Sequence, residues 1–105
     1  MTMLFACTVN ADPVAPVMTS TRGINAQVTR VGVGEYDLLL DQALAPHEYA
    51  LCLTVTDAAA NNSTISAVKT LKSNATVARI LVRVREGGVL ADLDFDVVAY
   101  KLRSI

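Results

Sequence analysis

Apolar and polar residues alternate with period two over short segments of this chain. In Glu35-Tyr-Asp-Leu-Leu-Leu-Asp41, Tyr36, Leu38 and Leu40 share one side while Glu35, Asp37, Leu39 and Asp41 share the other, as successive residues of a strand must. Similar segments, rich in Val, Thr, Leu and Ile, occupy residues 2–10, 24–33, 49–56, 64–71, 76–85 and 90–102, and clusters of Gly, Pro, Asn and Asp separate them. Apolar spacing of three and four is sustained nowhere, so helices are not expected. The pattern predicts an all-β fold, an antiparallel β-sandwich of jelly-roll or Greek-key type with about seven to eight strands.

The exception is residues 11–23, where Pro13 and Pro16 lack the N–H that a central ladder requires. That stretch reads as an extended connection. The organisation expected is therefore an N-terminal strand and extended arm over residues 1–23, followed by a β-sandwich domain over residues 24–105. Residues 42–48, with Pro46, read as a turn, and the small polar residues 57–63 as a loop.

The last hairpin can be given a register. Gly87-Gly88 suits a two-residue turn whose positive φ glycine adopts freely, which sets Glu86 opposite Val89. Counting back along both strands puts Arg83 opposite Asp92 and Arg79 opposite Asp96, with Val82, Ile80 and Ala78 facing Leu93, Phe95 and Val97. One face is then apolar and the other a ladder of arginine–aspartate pairs, each contributing about 0.2–1 kcal/mol.

Composition narrows the function classes. A chain of 105 residues that is 52% hydrophobic and 18% charged can bury a core as one domain. Its net charge of -1 lacks the basic excess that phosphate backbones select, so nucleic acid is not an expected partner. No apolar run approaches the roughly 18 residues of a membrane helix, and no basic residue precedes the short apolar stretch at Met3 to Ala6, so neither a membrane span nor an export signal is expected. Cys7 and Cys52 are expected as free thiols. Asn61, Asn62 and Asn74 open Asn-x-Ser/Thr triplets and are read as loop residues.

No constellation of catalytic or metal-binding residues emerges. The one histidine, His47, sits beside Pro46 in a turn, and with two cysteines 45 positions apart it offers neither a nucleophile's base nor zinc spacing. Asp92, Asp94 and Asp96 project from one side of a strand, but alternate residues stand about 7 Å apart and do not converge on a calcium ion without a loop. Gly32-Val-Gly34 opens no helix and reads as a turn or bulge. Glu35, Asp37 and Asp41 read as a polar outer face rather than a glycosidase pair. A non-enzymatic protein with no cofactor is expected.

Two segments carry apolar residues on what should be a solvent face. In residues 49–56, Tyr49, Leu51, Leu53 and Val55 face a core while Ala50, Cys52, Thr54 and Thr56 form an uncharged opposite face. In the last strand, Val98, Tyr100 and Leu102 continue the side that carries the aspartates. A β-bulge would restore the alternation. A subunit interface is the other reading, since monomers seldom expose large apolar patches. It assigns Cys52, Thr54, Val98, Tyr100 and Leu102 to a homo-oligomer contact, with the loops at residues 45–48 and 61–63 facing outward.

Four stretches carry a resemblance: Gly32-Val-Gly-Glu-Tyr-Asp-Leu-Leu-Leu-Asp41, Tyr49-Ala-Leu-Cys-Leu-Thr-Val-Thr56, residues 77–85 with Gly87-Gly88, and Asp92-Leu-Asp-Phe-Asp-Val-Val98. Over residues 21–102 this layout resembles the β-sandwich tip domains of phage and virus fibres and spikes. It is also similar to tumour-necrosis-factor-like jelly rolls, which trimerise through aromatic and aliphatic residues. The resemblance implies a virion structural protein, capsid-associated or part of a spike or tail fibre, assembling as a homo-oligomer with a trimer favoured. It implies other capsid or tail proteins as partners and a place in the virion. No shaft precedes the domain, which favours a small accessory subunit. The alternative is a carbohydrate-binding module using Tyr36, Tyr49 or Tyr100 as sugar platforms.

Overall fold

Alternate residues of the longest strands build one core. In the computed structural model, which describes residues 2–56, 62–72 and 77–102, Phe5, Cys7 and Val9, then Tyr36, Leu38 and Leu40, then Ala78, Ile80, Val82 and Val84, then Phe95, Val97 and Ala99 are all buried. Full burial of each large side chain contributes about 1.5–3 kcal/mol. The rings of Tyr36 and Phe95 meet at 5.1 Å in a tilted arrangement.

The elements are β1 (Thr2–Asn10), β2 (Val17–Gly23), β3 (Ala26–Gly32), β4 (Glu35–Ala43), a 3-10 turn (Pro46–Glu48), β5 (Tyr49–Val55), β6 (Ser63–Leu71), β7 (Val77–Glu86), β8 (Val89–Leu90) and β9 (Phe95–Lys101). They form two antiparallel sheets, β2-β1-β9-β5 and β3-β4-β7-β6, with β8 paired to β7. The fold is the expected β-sandwich, with nine strands. The strands nearest the two ends of the chain, β1 and β9, lie side by side in the middle of the first sheet.

The segment expected as an arm is only partly a connection. Asp12 accepts hydrogen bonds from the amides of Val14 and Ala15, closing a turn that contains Pro13. Beyond Pro16 the chain forms β2, an edge strand on β1. The prolines mark where pairing begins, because the residues that follow them keep every N–H. β1 itself is central to the sandwich, not an appendage.

The hairpin register holds at the turn and fails beyond it. Gly87 and Gly88 both have positive φ, and Glu86 pairs with Val89 and Arg85 with Leu90. One more bond follows, from the amide of Ala91 to the carbonyl of Val84 at 3.0 Å, and the ladder ends there because the Val84 amide donates to Gly34 instead. β6 covers one edge of β7, and on the other edge Glu35 of β4 already lies opposite Arg83. A strand edge pairs once, so residues 92–94 leave and cross to the other sheet, where β9 pairs with β1 and β5. The pairs Arg83–Asp92 and Arg79–Asp96 therefore do not form. Arg83 lies 3.8 Å from Glu35, and Arg79 bonds Asp37 at 2.9 Å. The ladder of charge exists, with β4 supplying the carboxylates.

Asp92 instead fastens the crossover. It accepts from Nε and Nη2 of Arg30 at 3.2 and 2.8 Å, from the amide of Gly34 at 3.0 Å and from the hydroxyl of Tyr36 at 2.5 Å. Arg30 foremost, helped by Tyr36 and the Gly34 amide against a burial penalty, holds its carboxyl down at about 2. Gly34 has φ +67°, and a Cβ there would stand 2.5 Å from the carbonyl oxygen of Val84, so the tight approach of this turn to β7 and to Ala91 requires glycine. The Gly32-Val-Gly34 expectation is met: a register shift between Arg30 and Gly32 is followed by the turn into β4.

Candidate functional site

The two outer faces of the sandwich differ in chemistry. On the β3-β4-β7-β6 sheet, Glu35 and Asp37 of β4 stand against Arg83 and Arg79 of β7, with Thr29 and Ser66 flanking them in the same rows. Leu39, Leu81 and the exposed Val68 lie between these ion pairs, so the face mixes charge with apolar side chains. The carboxylates considered as a catalytic pair, Glu35 and Asp37, are each occupied by an arginine, and Asp41 is exposed at the end of the strand's paired stretch.

The outer face of the β2-β1-β9-β5 sheet is built differently. Cross-strand register places Met3, Tyr100 and Ala50 in one row, Ala6, Val98 and Cys52 in the next, and Thr8, Asp96 and Thr54 in the third. At the β2 edge, Arg22 and Thr19 extend the second and third rows. The charged side chains in these rows are Arg22 at the rim and Asp96, whose carboxylate accepts the hydroxyl of Thr8 at 2.7 Å. The rest is methyl, methylene, aromatic ring, thiol and threonine.

Four of the five residues expected at an oligomer contact thus come together. Cys52 lies opposite Val98, Ala50 opposite Tyr100, and Thr54 opposite Asp96 on the same side. Cys52 and Thr54 are exposed, and Val98 and Tyr100 are partly buried. Leu102 lies just past the end of β9, 39% exposed, its amide bonded to the carbonyl of Glu48. Alternation is kept without a bulge between β5 and β9, so the apolar second face is a property of the sheet. A register shift does occur on β1 between Met3 and Phe5.

The contribution of β1 was not legible beforehand. Ala6 and Thr8 are as small and uncharged as Ala50 and Thr54, and this was visible, but no local signal said that β1 lies beside β9. Lys69 was also missed. It lies in β6 and reaches across to the other sheet, donating to the carbonyl oxygen of Tyr49 at 2.6 Å with its ammonium 5.1 Å from the tyrosine ring centroid. Tyr49 is buried and its hydroxyl has no hydrogen-bond partner among the described residues.

The remaining candidates resolve into structural roles. Asp92 holds the crossover, Asp94 accepts the amide of Ala11 at 2.8 Å, and Asp96 is bonded to Thr8. Among the described residues no group of three histidine, cysteine or acidic side chains could hold a metal ion. His47 is exposed in the 3-10 turn. Both cysteines are free: Cys7 is buried, and burial foremost, with Asp96 adding, pushes its thiol up to about 11, whereas Cys52 is exposed. Tyr36 and Tyr49, two of the three candidate sugar platforms, are core residues. Asn62 is exposed with φ +56°, while Asn61 and Asn74 lie outside the described residues.

Comparison with known proteins finds no matching family, no similar curated protein and no similar solved structure. The resemblance to fibre-tip domains therefore rests on the layout of the sequence.

Proposed function

We propose that this chain is a non-enzymatic virion structural subunit, a capsid-associated or spike/fibre β-sandwich that self-associates through the outer face of its β2-β1-β9-β5 sheet. The observation that supports the assembly is the contrast between the two faces of one small sandwich. One carries Glu35, Asp37, Arg79 and Arg83 among Leu39, Leu81 and Val68, while on the other Met3, Ala6, Ala50, Cys52, Val98 and Tyr100 lie beside a single central carboxylate, Asp96. Interface cores are depleted in charge and enriched in aromatic residues and methionine, and this face has that composition. The resemblance to fibre and spike tips supplies the virion setting and the preference for a trimer.

The carbohydrate-binding alternative loses support from the burial of Tyr36 and Tyr49, which leaves Tyr100 alone able to stack on a sugar. Tyr100→Asp places a carboxylate in the middle of the proposed contact and is expected to break it and lower the particle mass. Thr29→Asp, on the charged face of the other sheet, is expected to leave the particle mass unchanged. If Tyr100→Asp also leaves it unchanged, the contact lies elsewhere. Particles purified from the source of the sequence should contain the chain in stoichiometric amounts by mass spectrometry, and its absence from them would contradict the virion assignment.

A further inference from the structure

The sandwich has four edge strands, and they are not equally protected. An open edge offers unpaired N–H and C=O groups to any extended chain, and proteins commonly blunt it with charge, proline, bulges or irregular backbone. In β2, Ser20 has φ +51°, Gly23 has φ +85°, and the register with β1 shifts between Ala6 and Thr8. β3 carries Arg30 and shifts register beside it. β6 keeps an unbroken register with β7 but includes one lysine, Lys69, whose ammonium is spent on the end of β5 rather than on its own edge. β5, Tyr-Ala-Leu-Cys-Leu-Thr-Val, has no charged residue, no proline, no positive φ and an unbroken register with β9.

The direction of its backbone groups follows from its two ends. The amide of Thr56 donates to Asp94, and the carbonyl of Glu48 accepts from Leu102. Both are even-numbered positions in one unbroken antiparallel register, so Ala50, Cys52 and Thr54 direct their backbone groups at β9. Tyr49, Leu51, Leu53 and Val55 direct theirs outward. The bond from Lys69 to the Tyr49 carbonyl, made from outside the sheet, agrees with this and caps the edge at one end.

We infer that β5 pairs antiparallel with β5 of a second copy, joining two sheets edge to edge about a two-fold axis at Cys52. The second copy is the occupant because the strand complements itself. Centring on Cys52 pairs all seven residues of β5: Tyr49 opposite Val55, Ala50 opposite Thr54, Leu51 opposite Leu53, and Cys52 opposite its own copy. No charge meets a like charge, which two-fold pairing of a charged strand risks. Leu51 and Leu53, partly buried at the sandwich rim, gain cover. The outward amides of Leu51 and Leu53 find free carbonyls in the partner, and that of Val55 shares the Tyr49 carbonyl with Lys69. Cys52 falls at a non-hydrogen-bonded site, where Cα atoms stand about 4.5 Å apart, close enough for a short reagent to bridge the two thiols. This contact is made by the outward backbone groups of β5 and does not depend on the outer-face association, although the Cys52 side chain borders both.

Amide hydrogen exchange tests it on the intact protein, read at low and high concentration alongside solution mass. Pairing predicts that Leu51, Leu53 and Val55, exposed to solvent in a monomer, become protected roughly tenfold or more as concentration rises. It also predicts that a short bis-maleimide links two chains through Cys52, with Cys7 unmodified. Cys52→Lys, which sets ammonium against ammonium, should abolish the protection, and Cys52→Ser should retain it. Tyr100→Asp, which attacks the face, should keep concentration-dependent protection. Fast exchange at these three amides in an assembled wild-type protein overturns edge pairing and leaves the face contact standing. A protein that stays monomeric throughout overturns both.

Discussion

Asp92 lies against Arg30, from which it accepts two hydrogen bonds at 3.2 and 2.8 Å, in a segment that passes from one sheet to the other. The pair ties the edge strand β3 to the crossover that delivers β9, and thereby Val98 and Tyr100, to the second sheet. Removing the carboxylate leaves a guanidinium only 21% exposed without its counter-charge. Asp92→Asn is expected to cost about 1.5–3 kcal/mol in urea unfolding. Adding Arg30→Gln should cost little more, because the two residues share one interaction. Additive losses would show that the pair is not coupled.

The same carboxylate sets a pH dependence. Its folded value is about 2 against an ordinary 3.8, so the unfolded chain binds the proton more readily than the folded one. The contribution to stability is complete above about pH 4 and is lost as pH falls toward 2. Urea midpoints across that window should fall in the wild type and fall less steeply in Asp92→Asn. Equal slopes in the two proteins would remove Asp92 as the cause.

The two buried tyrosines make opposite predictions. The Tyr36 hydroxyl donates to Asp92 at 2.5 Å, whereas the Tyr49 hydroxyl is enclosed with no partner among the described residues. Tyr36→Phe should destabilise by about 1–2 kcal/mol, and Tyr49→Phe should be neutral or stabilising, since an unsatisfied polar group leaves the core. Comparable losses at both positions, measured by thermal or urea unfolding, would contradict the assigned hydrogen bonds.

Glycine is required at one turn and merely convenient at another. Ala at Gly34 would press its Cβ to 2.5 Å from the Val84 carbonyl oxygen and 2.7 Å from the Ala91 amide nitrogen, while at Gly87 a Cβ meets open space. Gly87→Ala carries only the cost of left-handed backbone, about 1–2 kcal/mol. Gly34→Ala should cost clearly more, and unfolding midpoints that rank the two the other way would contradict the packing of this turn.

Much of the sandwich was readable from alternation alone. Tyr36, Leu38 and Leu40 point inward as read, Gly87-Gly88 turns as read, and Cys52, Val98 and Tyr100 share a face as read. Partner choice over distance was less legible. Asp92 and Asp96 are spaced to match Arg83 and Arg79 in a long hairpin, yet Glu35 takes the edge of β7 first. Counting residues along one hairpin cannot reveal a third strand competing for the same edge. β2 is hidden in the sequence for a related reason: Pro13 and Pro16 suggest a connection, although the strand begins only after them.

Light scattering or sedimentation equilibrium at micromolar concentration tests the central claim, that the uncharged outer face is an assembly surface. The expected mass is a multiple of the 11.2 kDa chain, with three copies favoured, falling in Tyr100→Asp to no more than a pair of chains joined through β5. A wild-type protein that holds the mass of a single chain across that range would contradict the account.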